Sequence, residues 1–424
     1  MAAPPISAQS YHVIVKPIGA VCNLRCKYCY YLEKTDLFPG TKSFRMPDRV
    51  LEELTRQYIE SQPEGMRELH FSWQGGEPTL LGLEFFRKAL ALQKKYRRDG
   101  LRILNTMQTN GTLLDEEWGR FLHDEGFLVG ISIDGPEAVH DRFRRNTAGS
   151  GSLGTVLRGL EVLKTHQVEF NTLTVVNRVN GDQPEVTYDF LKQIGSRFFQ
   201  FIPIVERDRE GRMTPESVGS RQWGRFLIGI FDRWKRADVG EVFVQYFDVF
   251  LGLYMGLPSS LCVFAETCGR AAAMEHNGDL YSCDHFVFQD YRLGSIADLT
   301  LTEMMDGEFQ TRFGRDKMDR LPHVCRRCAF LALCHGGCPV HRFLKGPGGE
   351  PGLNYLCEGF KLFFRHTLPY LRAMAKCLDS GKPARDYPRF MATEESRSKI
   401  GRNQPCSCGS GEKYKNCCGR STGR

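Results

Sequence analysis

Between residues 12 and 205, six short runs rich in β-branched and aromatic residues alternate with longer amphipathic stretches, and this alternation constrains the fold more than any other feature. The strand-type runs are HVIVKPI (12–18), LHFSW (69–73), LRILNTMQT (101–109), LVGISID (128–134), EFNTLTVV (169–176) and FFQFIPIV (198–205). Helical patterns such as PDRVLEELTRQYIESQ, GLEFFRKALALQKKYR and GTVLRGLEVLKTHQ lie between them. Parallel strands joined by right-handed helical crossovers build a partial barrel that carries its chemistry at the C-terminal strand ends. The polar and glycine-rich stretches fall at those ends: CNLRCKYCY after the first run, QGGEPT after the second, QTNG after the third and DGP after the fourth.

A chain of 424 residues has room for roughly three domains of about 150 residues. Its net charge of +7 is modest and its basic residues are dispersed, so charge points to no nucleic acid. The first twenty residues lack a basic region followed by an apolar run, and no stretch of about 18 apolar residues occurs, so a cytoplasmic chain without membrane insertion is expected. In that compartment sixteen cysteines serve metals or catalysis rather than disulfides. They form a triplet near residue 25, a run from Cys262 to Cys357, a lone Cys377 and a terminal set from Cys406 to Cys418.

The triplet Cys22, Cys26 and Cys29 has no nearby fourth member, whereas closed structural zinc sites take four ligands. An iron-sulfur cubane held by three thiolates leaves one iron open to a small molecule. Here the chain resembles the radical S-adenosylmethionine (SAM) superfamily, whose C-x3-C-x2-C motif follows the first strand of a partial (β/α)6 barrel. Tyr28 before Cys29 is the aromatic usual in that motif, and GGEPTL (75–80) resembles the superfamily's glycine-rich loop. The resemblance implies that the cluster and SAM together generate a 5′-deoxyadenosyl radical. It implies SAM contacts from Gly76, Ser132 and Arg144, and an apolar contact from FIPIV (201–205).

From Cys262 the spacing is C-x5-C-x14-C, then C-x2-C-x5-C-x3-C, then Cys357, eight cysteines in all. Eight thiolates suit two four-ligand sites, zinc or iron-sulfur. The run resembles a SPASM domain, which carries two auxiliary clusters in radical enzymes acting on peptides. By position, the resemblance gives Cys262, Cys268, Cys283 and Cys338 to one [4Fe-4S] cluster, and Cys325, Cys328, Cys334 and Cys357 to the other. It narrows to the anaerobic sulfatase-maturating enzymes, on both cysteine patterns, FSWQGGEPTL and YSCDHF (281–286).

That family oxidises a cysteine or serine of a sulfatase to Cα-formylglycine. It places its catalytic base at Asp284, with Gln74 and Tyr31 near its substrate-contact positions. His285 and His335 abut cysteine ligands and suit hydrogen bonding around the clusters. Flavodoxin or ferredoxin is the electron donor the resemblance implies.

The last residues, IGRNQPCSCGSGEKYKNCCG, have too few apolar side chains for a core, so a metal would have to supply the fold. They resemble the SEC-C zinc motif, with Cys406, Cys408, Cys417 and Cys418 as ligands, a module that elsewhere contacts a secretion chaperone and ribosomes. The expected architecture is therefore α/β: a TIM-type radical SAM barrel over 1–235, a SPASM domain over 236–375, a polar linker over 376–399 and a SEC-C tail over 400–424. Two other readings stay open. One is a radical maturase forming thioether or carbon-carbon cross-links, disfavoured by the roughly ten residues ahead of the first strand. The other is a non-enzymatic zinc adaptor, which leaves the triplet one ligand short.

Overall fold

The computed structural model describes residues 6–208, 210–395, 403–405 and 411–417. Among the described residues the chain forms two compact units, one drawn from residues up to 180 together with 189–217 and 268–315, the other from 181–188, 218–267 and the described residues after 315.

The first unit is built on all six expected strands: β1 (His12–Lys16), β2 (Glu68–Trp73), β3 (Arg102–Thr109), β4 (Leu128–Ser132), β5 (Phe170–Val176) and β6 (Phe198–Pro203). They lie side by side in sequence order and every neighbouring pair is parallel, forming an open sheet. Helices cross between them: α1 (Asp48–Glu60), α2 (Leu83–Tyr96), α3 (Glu116–Asp124), α4 (Glu137–Phe143) and α5 (Leu153–Thr165). The amphipathic period explains α1, which buries Val50, Leu51, Leu54, Tyr58 and Ile59 on one face. Asp115 starts α3 by accepting from the backbone N–H groups of Glu117 at 3.0 Å and Trp118 at 2.9 Å. Val13, Val15, Phe71, Trp73, Met107 and Ile131 are fully buried in the sheet core.

A strand at Ala271–Glu275 pairs parallel with the free side of β1, from His12 opposite Ala271 to Lys16 opposite Glu275. It turns back through Asp279–Tyr281, which pairs with Arg292–Ser295. Residues grouped by cysteine spacing with the auxiliary segment thus extend the sheet of the first unit.

In the second unit the helix Ser220–Ala237 packs against the 23-residue helix Cys357–Asp379. Two glycines let their backbones meet: a Cβ on Gly224 would stand 2.5 Å from the Gly359 carbonyl oxygen, and one on Gly359 would stand 2.1 Å from that of Ser220. Phe231, Trp234, Phe247 and Phe363 fill the rest of the contact. The stretch expected to be a polar linker is largely helical. Cys357–Asp379 runs into it, Tyr387–Glu395 forms a further helix, and Tyr387 packs on Tyr370 and donates to the Lys235 carbonyl.

In the tail, Pro405 bridges Lys413 and the Tyr414 amide donates to the Gln404 carbonyl at 2.8 Å. Cys406, Cys408 and Cys418 lie outside the described residues. No helix among the described residues is long and apolar enough to cross a membrane.

Candidate active site

The C-terminal end of β1 leads into the loop carrying Cys22, Cys26 and Cys29, and the glycine loop after β2 lies directly against it. The Gly76 amide donates to the Gly19 carbonyl at 2.8 Å and that of Glu77 to Val21 at 2.9 Å. Gly75 has φ of +123°, and a Cβ on Gly76 would fall 1.9 Å from the Val21 carbonyl oxygen. Glu77 is fully buried and locks the loop to β3. It accepts from the Thr79 and Thr109 hydroxyls at 2.6 and 2.7 Å, and from the Asn110 amide at 2.7 Å. Burial raises its carboxyl, partly offset by those hydrogen bonds. The Cys22 sulfur accepts from the Leu24 amide at 3.3 Å and from the Asn110 side-chain amide at 3.7 Å.

Burial pushes the Cys22 thiol up to about 11 and the Cys26 thiol up to about 12, and both also feel Cys29 nearby. Three thiols carried on one short loop are a donor set whose chemistry suits an iron-sulfur cluster.

Tyr28 is buried with Phe143 and Ile204 of FIPIV in a small apolar cluster against which Cys26 packs. The Tyr28 hydroxyl donates to Asp134, which also receives the Arg144 Nε at 3.0 Å in a buried ion pair. Ser132 ends β4, half-buried, two residues before Asp134.

Three adjacent parallel strands end at one edge, which brings Lys16, Glu275 and Gln74 together. Asp284, in a short 3-10 turn after Cys283, closes the group. The buried Lys16 ammonium lies 2.5 Å from the Asp284 Oδ1, donates to Gln74 Oε1 at 3.3 Å and stands 4.5 Å from the Tyr31 ring centroid. The Tyr30 hydroxyl donates to Asp284 Oδ2 at 2.7 Å, and the Tyr31 hydroxyl donates to Glu275. Burial pushes the Asp284 carboxyl up, but Lys16, His285 and the hydrogen bonds from Lys16 and Tyr30 outweigh it and hold the group below its ordinary value. His285 stacks on Tyr30. Asp284, Gln74 and Tyr31 are thus brought together through Lys16 and Tyr30, which sequence reasoning had not singled out. A lysine ending an otherwise apolar strand was the available signal.

In the second unit Cys325, Cys328, Cys334 and Cys357 line one cavity whose other walls are mainly apolar, including Phe330, Leu331, Phe360 and Phe364. Burial raises the Cys325 and Cys357 thiols and pushes Cys334 up to about 12, while Lys361 draws Cys325 and Cys357 the other way. Cys357 opens its long helix, where the macrodipole favours a thiolate. Four thiols lining one largely apolar cavity are a donor set whose chemistry suits an iron-sulfur centre. The turn from Cys334 to Cys338 needs left-handed backbone at His335 (φ +42°), Gly336 (+74°) and Gly337 (+65°). Arg342 ties it down, donating to the carbonyls of Gly336 at 3.0 Å and His335 at 2.5 Å. Buried Lys317 gathers the carbonyls of Cys262 at 2.5 Å, Val263 at 3.0 Å and Ala265. Cys268 and Cys283 belong to the first unit, Cys262 and Cys338 to the second.

The fold and its thiol sites define a radical SAM enzyme with an auxiliary iron-sulfur domain. The Radical SAM superfamily model matches residues 17–191, the SPASM iron-sulfur cluster-binding domain residues 262–329, and the SEC-C motif residues 402–420. The serine-type anaerobic sulfatase-maturating enzyme of Bacteroides thetaiotaomicron is 46% identical over 384 residues, covering 87% of this chain and 92% of that one. The cysteine-type enzyme of Clostridium perfringens is 35% identical over 373 residues, covering 87% and 98%. The solved structure of native anSMEcpe with bound AdoMet and Cp18Cys peptide superposes with a TM-score of 0.78 at 34% identity, covering 88% of this chain and 100% of that one. The chain therefore belongs to the anaerobic sulfatase-maturating enzymes.

Proposed function

We propose that this enzyme oxidises a serine in the active-site segment of a sulfatase polypeptide to Cα-formylglycine, with Asp284 as the base. The observation that carries the reading is the Asp284 carboxylate held between Lys16 and Tyr30 at the strand ends. Serine is favoured over cysteine because the serine-type relatives are 46% and 40% identical and the cysteine-type relative 35%.

Cys22, Cys26 and Cys29 would hold the cluster that, with SAM positioned by Gly76, Ser132 and Arg144, supplies the radical that takes a hydrogen atom from the substrate Cβ. The oxidation to an aldehyde removes one hydrogen atom, one proton and one electron. Asp284 receives the proton from the substrate hydroxyl. A carboxylate held below its ordinary range is a weak base, and it suffices because a hydroxyl beside a carbon radical is far more acidic than an alcohol. Lys16 keeps that carboxylate ionised and aimed, Tyr30 fixes its second oxygen, and Gln74 and Tyr31 line the same edge for the peptide. The two four-cysteine sets would carry [4Fe-4S] clusters, and the centre beside Cys283 would take up the remaining electron. Cys406, Cys408, Cys417 and Cys418 would hold zinc, in a tail suited to meeting an unfolded sulfatase.

The test uses the anaerobically reconstituted holoenzyme with SAM, reductant and paired peptides carrying serine or cysteine at the target position. Mass spectrometry is expected to show the serine peptide lighter by two hydrogens. In Asp284→Asn, aldehyde should fall by roughly 10²- to 10⁴-fold while SAM cleavage persists. Equal loss of both, or an unmodified serine peptide, would overturn the reading.

A further inference from the structure

Beside the cavity lined by Cys325, Cys328, Cys334 and Cys357 runs a second, open groove of about 620 Å³. The two share Val324, Cys328, Phe330 and Lys361, so the groove opens directly onto a thiol of the cluster-type site. Its rim carries Arg327, Lys361 and Arg365, with His323, against the single carboxylate of Glu350. Arg327 and Arg365 are exposed and Lys361 is half-buried, and among the described residues none of the three is ion-paired. Elsewhere some surface cations are paired, as Arg87 is with Glu117 and Lys88 with Asp48. The groove therefore sets three cations without ion-pair partners beside Cys328, a thiol shared with the four-cysteine cavity.

We propose that this groove docks an acidic, low-potential one-electron carrier protein, which exchanges electrons with the centre held by the four cysteines. The inference rests on the reading of those cysteines as iron-sulfur ligands. The cations come from two elements, the turn around Arg327 and the helix Cys357–Asp379, and border a broad channel rather than converge on one point, as donors for a small anion would. Such an arrangement suits the acidic rim of a protein whose redox group is then presented over Cys328. In the transfer one electron leaves the reduced carrier and enters the site; no bond forms or breaks and no proton moves. Complementary rim charge acts mainly on encounter rate and salt dependence.

The experiment measures binding of an acidic flavodoxin to the anaerobic holoenzyme at several salt concentrations, alongside the rate at which reduced flavodoxin reduces the enzyme. The double variant Arg327→Glu/Arg365→Glu is compared with Arg87→Glu/Lys88→Glu, an equal charge reversal on the first unit. Docking predicts that the first variant binds at least about ten-fold more weakly, with a flatter salt dependence, and is reduced correspondingly more slowly. Its iron content and dithionite-driven turnover should stay at wild-type level, and the second variant should behave as wild type. Arg327→Gln/Arg365→Gln, which removes charge without reversing it, should fall between. Unchanged binding in the groove variant, equal losses in both charge reversals, or no measurable binding of flavodoxin to the wild type would overturn the proposal. A holoenzyme that cleaves SAM with dithionite yet leaves the sulfatase peptide unmodified would instead sink the functional reading, and the binding comparison would still decide the docking site.

Discussion

A buried ammonium has to be paired to stay charged, and Lys16 reaches Asp284, Gln74 and the face of Tyr31 at once. Its position is set by strand register: Lys16 sits opposite Glu275 on one side, and its neighbour Val15 sits opposite Trp73 on the other. Removing the cation would leave the Asp284 carboxylate half-buried without its main partner, free to turn or to take up a proton. Lys16→Met is therefore expected to lower aldehyde formation by about 10²-fold while SAM binding, measured by equilibrium dialysis, stays near wild type; Lys16→Arg should recover part of the loss. An equal fall in SAM binding would show that Lys16 braces the loop rather than the base. At this scale the sequence exposed Asp284, Gln74 and Tyr31, because each lies in or beside a motif. It did not expose Lys16, Tyr30 or Glu275, because their meaning lies in a pairing between β1 and a strand more than 250 residues away, and local pattern carries no such information.

At the scale of elements, the loop after β2 shows why the GGEPT stretch takes the residues it does. Gly76 lies against the Val21 carbonyl, one residue before Cys22, the first thiol of the triplet, and that neighbour is backbone that cannot swing aside. Gly76→Ala should therefore push the Cys22 loop outward, lowering iron retained at the triplet and weakening SAM binding at least ten-fold, by roughly 1.4 kcal/mol or more. Gly82→Ala is the control: its φ is +73° with nothing within 4 Å of a Cβ, so it should cost about 1 kcal/mol in stability and leave SAM binding intact. Iron analysis and dialysis on the two variants separate the cases. All six strands were legible because strand and helix periods differ along the chain, and their ends were misjudged by no more than two residues. The polar linker was not legible as helix: Tyr387–Glu395 has only a weak apolar face, and Tyr387 earns its place by packing on Tyr370 and bonding Lys235, contacts made across the fold.

For the molecule as a whole, acid stability should be governed in part by histidines kept neutral by burial. His140, on α4, is fully buried; its Nδ1 accepts from the Asp134 amide at 3.3 Å and its Nε2 meets the Ser152 hydroxyl at 3.1 Å. Burial lowers it from 6.5 to about 4, with Asp134 and Asp141 pulling the other way and Arg144 adding to the fall. The unfolded chain binds this proton below about pH 6.5 and the folded chain does not until near pH 4, so the stabilisation is complete above pH 6.5 and is lost as pH falls toward 4. The displacement corresponds to about 3 kcal/mol. His12 on β1 is lowered to about 4 in the same direction, burial again being the main cause, with His70 adding to it. Urea unfolding of the wild type followed at pH 7, 6 and 5 should thus show midpoints falling with pH. His140→Gln, which starts less stable at pH 7 because it disturbs the buried contacts to Asp134 and Ser152, should show a visibly shallower fall. Parallel falls in the two proteins would mean that His140 protonates in the folded state and that acid sensitivity lies elsewhere in the fold.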